Sequence, residues 1–79
     1  MFEQLRDLKK AHEMQKAFAQ EKHTVEKSGV KVTVNGNLKV EEIVIDQPVQ
    51  QADLGPLLTE IINQAFQEIQ HRLARQLMG

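Results

Sequence analysis

Cysteine is missing from this sequence, which removes disulfides and thiolate zinc sites as staples and suits a reducing compartment. Tryptophan and tyrosine are missing too, and only three phenylalanines are present. Single-stranded nucleic acid is usually held by bases stacking on exposed aromatics, so that class of partner finds no platform here. Phe2, Phe18 and Phe66 fall on apolar helix faces and read as core or interface residues. The glycines stand apart at 29, 36, 55 and 79, which leaves no glycine-rich phosphate loop. Unbroken apolar runs such as Ile43-Val44-Ile45 fall far short of the roughly 20 residues that cross a bilayer. Met1-Phe2-Glu3-Gln4 does not resemble a signal peptide, so the expectation is a soluble protein of the cytoplasm. An excess of positive charge is lacking as well. Ten Lys plus Arg stand against eleven Asp plus Glu, a net of −1. A nucleic-acid partner therefore has to be argued from where the charges sit, because their sum is silent.

What is present is one small domain of 79 residues. A chain this short buries only roughly 60% of the surface it exposes when unfolded, so a copy of itself is the expected staple. Phe2 to Lys22 has no Gly, Pro, Ser or Thr and is rich in strong helix formers. Phe2, Leu5, Leu8, Ala11, Met14, Ala17 and Phe18 recur at steps of three or four, a thin stripe that suits a projecting arm. A strand is expected at about 24–27, before Ser28-Gly29. Val30, Val32 and Val34 alternate with Lys31 and Thr33 as a half-buried strand at about 30–35. Asn35-Gly36 promises a type I′ hairpin turn, with a return strand at about 38–46. The apolar parity shifts from Leu38 and Val40 to Ile43 and Ile45 across Glu41-Glu42, the mark of a bulge or of a change of packed face. Asp53 reads as the cap of a second helix at about 53–78, with Pro56 in its first turn. Leu57, Leu58, Ile61, Ile62, Ala65, Phe66, Ile69, Leu73 and Leu77 give that helix a broad apolar face. The fold class is α+β, ordered α-β-β-β-α, with a three-stranded antiparallel sheet flanked by two long helices.

No constellation of side chains points to catalysis or to a metal. His12 and His23 are eleven apart, His71 lies on another element, and none has a partner at i+3 or i+4. Glu41 and Glu42 are adjacent on a strand and point to opposite faces. Ser28 sits in a turn without a G-x-S-x-G context. The expectation is therefore no enzyme, no metal and no cofactor. Bases are another matter. Arg6, Lys9, Lys10 and Lys16 lie on the first helix, with Lys9 and Lys10 turned away from Leu5 and Leu8. Arg72 and Arg75 follow the last acid, Glu68, and make the end of the second helix locally basic. Lys22 and Lys27 are weaker candidates. Such bases can grip phosphates without reading sequence. They can equally be a solvated helix surface.

The segments Val30-Lys31-Val32-Thr33-Val34-Asn35-Gly36 and Val40-Glu41-Glu42-Ile43-Val44-Ile45-Asp46 resemble the signature of the YbaB/EbfC family of bacterial nucleoid-associated proteins. Met14-Gln15-Lys16 in the first helix and Ala65-Phe66 in the last extend the likeness over nearly the whole chain. The resemblance implies a tweezer-like homodimer, with sheets and helix bases central and helical arms projecting. Val30, Val32, Val34, Ile43, Ile45, Leu58, Ile61 and Ile62 are then the expected dimer interface. It also implies binding of duplex DNA with little sequence preference, at the nucleoid, through Arg6, Lys9, Lys10, Lys16, Arg72 and Arg75. The alternative is a protein–protein interaction or assembly module that uses the same arms.

Overall fold

The computed structural model describes residues 2–78, with side chains from Arg6 to Met78. Its order is α1 (Phe2–Gln20), β1 (Lys22–Lys27), β2 (Val30–Asn35), β3 (Val40–Ile45) and α2 (Gln51–Met78). The three strands form one antiparallel sheet in the order β1-β2-β3. Alternation along β2 turns Val30, Val32 and Val34 to one face, and there they meet Ile61, Ala65 and Ile69 of α2. All six have no exposed surface, and Val25 and Leu73 complete the core. The α2 residues Ile61, Ala65, Ile69 and Leu73 recur every fourth position, so one straight ridge lies along the sheet. Phe2 and Leu5, expected in the stripe of α1, lie outside the described side chains.

The turns depart from expectation. The two-residue connection with both backbones left-handed is Ser28-Gly29, at φ 54 and 80, closed by the Lys27–Val30 pair. That is the type I′ signature. Asn35-Gly36 is not such a turn. The Asn35 N–H donates to the Lys39 carbonyl at 3.0 Å, so the loop holds three residues and Leu38 takes the left-handed position at φ 60. Tertiary contacts decide this. The Gly36 N–H donates to the carbonyls of Phe18 and Glu21 at 2.9 and 3.0 Å, which ties the loop to the end of α1. A Cβ at Gly36 would lie 2.6 Å from the Phe18 carbonyl oxygen, so only glycine fits without a shift. Asn35 organises the loop from inside. Its Oδ1 accepts from the Asn37 and Lys39 N–H groups at 2.9 and 3.3 Å, and its Nδ2 donates to Glu41 at 3.0 Å.

The bulge falls where the parity shift placed it. Thr33 pairs with Glu42 and Val34 with Val40, which leaves Glu41 as the extra residue. Boundaries differ elsewhere. Lys22, expected at the end of the first helix, belongs to β1, which also begins earlier than expected and takes in His23, and Leu38 belongs to the loop. The second helix starts at Gln51, not at an Asp53 cap. The Gln50 carbonyl accepts from the N–H groups of Asp53 and Leu54 at 2.9 and 3.1 Å, which places Asp53 within the first turn. Pro56 consequently sits inside the helix.

Two long elements overrun the sheet at one end. Register puts Lys22 beside Asn35 there. Phe18 and Leu73 both pack on Gly36, and Asn37 Nδ2 donates to the Gln15 carbonyl at 3.0 Å. Above that anchor every residue of α1 from Arg6 to Ala17 is exposed, and residues 74–78 of α2 are exposed as well. The molecule accordingly measures 56 × 25 × 17 Å.

Candidate nucleic-acid interface

The α1 bases stand on a regular helix, so their directions follow from its geometry. At about 100° per residue, Arg6, Lys9, Lys10 and Lys16 fall within an arc of roughly 120°, opposite Leu8 and Ala11. All four are exposed, and none is in an ion pair with a described residue. Glu13 lies within the same arc, at helical neighbour spacing from Lys9, Lys10 and Lys16. From Arg6 to Gln20 the arm carries four bases and two acids, Asp7 and Glu13, so it is positive on a chain of net −1.

The α2 bases are placed differently. Arg72 is half-buried, and its Nη2 donates to the Lys22 carbonyl at 2.7 Å and reaches Glu21 Oε2 at 3.5 Å. It clamps the helix to the junction between α1 and β1. Arg75, one turn on, is exposed. Beside them His23 Nε2 lies 2.8 Å from Glu68 Oε2, and Gln64 Nε2 donates to Glu68 Oε1 at 2.9 Å. The hydrogen bond from Gln64 and then that with His23 hold the Glu68 carboxyl below its ordinary range. His23, Glu68, His71, Arg72 and Arg75 line one open cleft. Sequence reasoning missed this cluster, because His23 and Glu68 are 45 positions apart and carry no local signal.

Lys22 and Lys27 are engaged. Lys22 pairs with Glu41 at 3.2 Å and Lys27 pairs with Glu60. Asn35 first and Lys22 second hold the Glu41 carboxyl below its usual value. Among the described residues no group of His, Cys, Asp and Glu is arranged to hold a metal, and no helix is long and apolar enough to cross a membrane.

The expected interface residues divide by burial. Val30, Val32, Val34 and Ile61 are wholly covered within the chain and have no surface to give. Leu58 and Ile62 are half-buried, whereas Ile43 and Ile45 are 43% and 48% exposed. They share the Val30/Val32 face by register, but α2 lies over β1 and β2 and leaves β3 bare.

A small α+β domain with a basic helical arm is what this fold defines. The chain matches the model of the YbaB/EbfC DNA-binding family over residues 1–79, its whole length, and it belongs to that family. No curated protein and no solved structure matches it.

Proposed function

We propose that the protein binds duplex DNA as a homodimer, largely through the phosphate backbone and with little sequence preference, as a component of the nucleoid. The observation that carries this reading is the α1 arm, exposed from Arg6 to Ala17 with four bases within one arc. Flexible bases on a helix meet phosphates wherever they lie, which gives affinity without base recognition. Family membership supports DNA as the partner.

Dimerisation is supported by the bare edge of the sheet. Among the described residues no strand pairs with the outer side of β3, and Val40, Ile43 and Ile45 are 39–48% exposed beside the core. An exposed apolar edge strand invites pairing with another chain, and a second copy would cover it. Two copies also double the arms and the charge they offer to one duplex.

Gel retardation at rising salt tests the reading. The wild type should shift unrelated duplexes equally, with affinity falling steeply as salt rises. The double change Lys9→Glu and Lys10→Glu should weaken every duplex alike. Absence of a shift at low salt would refute DNA binding. Light scattering should give about twice the 9.0 kDa chain mass, with Ile43→Lys returning it toward one chain.

A further inference from the structure

The cleft between the start of β1 and the last turns of α2 brings two imidazoles and two guanidiniums together, of which Arg72 also clamps α2 to the Lys22 carbonyl. Its volume is about 500 Å³, ample for a tetrahedral oxyanion. Arg72 spends Nη2 on Lys22 and Glu21, while its sheltered Nε has no partner, alone among the buried side-chain polar atoms described. Arg75 and His71 are exposed at the same mouth.

We propose that this cleft is a proton-gated seat for a phosphate-type oxyanion, opened by protonation of His23 and His71. The proposal rests on the DNA-binding reading only for where the anion comes from. Charge decides the gating. With both imidazoles neutral, Arg72 and Arg75 are balanced by Glu68 and Glu21, and the cleft has no net attraction for an anion. The neighbouring Lys22 and Glu41 add nothing, because they pair with each other at 3.2 Å. Val34, opposite His23 on β2, carries no charge. Protonating both imidazoles leaves two net positive charges. The His23 imidazolium then neutralises Glu68, the one carboxylate lining the cleft, and His71 adds a donor beside Arg75. Imidazoles as a class change charge between about pH 5 and 8.

The test uses the full chain and inorganic sulfate, a tetrahedral probe whose charge is constant between pH 6.0 and 7.5. Imidazole signals of His23 and His71 are followed by NMR as sulfate is added. Sulfate should perturb both at pH 6.0 and much less at 7.5, and the double variant His23→Gln and His71→Gln should bind about threefold or more weakly at pH 6.0. The side-chain amide introduced by His23→Gln can still donate to Glu68, which keeps that contact in the variant. Duplex retardation at fixed ionic strength forms the second arm. A gain of about threefold or more from pH 7.5 to 6.0, lost in the double variant, assigns the seat to the DNA backbone. A flat duplex profile with sulfate binding intact assigns it to free phosphate. Sulfate that leaves both imidazole signals unmoved at pH 6.0, or that binds the double variant equally well, overturns the proposal. Failure of the duplex to shift at any pH would sink the DNA reading instead, while the sulfate arm still decides the cleft.

Discussion

Of the two helices, α2 buries Ile61, Ala65, Ile69 and Leu73 against the sheet, whereas α1 leaves Arg6 to Ala17 exposed. Both carry apolar residues at helical steps, so periodicity alone does not separate them. The step size does. Leu8, Ala11, Met14 and Ala17 advance by three, and each step turns the next side chain back by about 60° around the axis. Over three steps the stripe winds about half way round the helix. In α2 the step is four and the drift about 40°, which keeps the ridge on one side. A winding stripe offers no flat partner a continuous contact, and α1 accordingly meets the rest of the chain through its C-terminal end, at Gln15, Phe18 and the residues that follow.

The largest break in that comparison should come from the core. Ile69→Ala removes a side chain with no exposed surface and is expected to cost about 2–5 kcal/mol in chemical denaturation. Met14→Ala, at a residue half exposed on α1, should stay within about 0.5 kcal/mol. Equal costs would mean that α1 is packed in solution. A second contrast sharpens the anchor. Gly36→Ala drives a methyl into the Phe18 carbonyl and should destabilise by about 1–3 kcal/mol. Gly55→Ala, with open space around it on a helix, should raise stability by about 0.5–1 kcal/mol. A harmless Gly36→Ala would show that α1 is not held at the loop.

The smallest effect is electrostatic. Glu41 and Glu68 have folded pKa values below their ordinary one, so the stability they add is present above about pH 4.5 and lost as acid carries the pH through those lower values. Thermal melts should therefore soften below about pH 4.5, and less in Glu68→Gln, where nothing remains to titrate at that position. Both carboxylates are solvent-facing, which keeps the change slight.

Much of this was legible beforehand because it is local. The alternating valines of β2, the apolar face of α2 and the parity shift at Glu41-Glu42 are each written in the local sequence. The hairpin loop was misread because Asn35-Gly36 has a strong intrinsic preference, and the carbonyls of Phe18 and Glu21 override it from outside the loop. The site was half legible. The bases of α1 and Arg75 are exposed as expected, yet the clamp made by Arg72 and the His23–Glu68 pair depends on chain closure across about 50 positions.

The surplus residue at Glu41 has a consequence for length variation. Remove it, and Val40 still faces Val34 while Glu42 still faces Thr33, so the return strand becomes an unbroken alternation with its inward side chains undisturbed. Drop one residue from the middle of β2 instead, and part of its valine row would swing out to water. One strand can therefore absorb an indel and its neighbour cannot, although the two lie side by side.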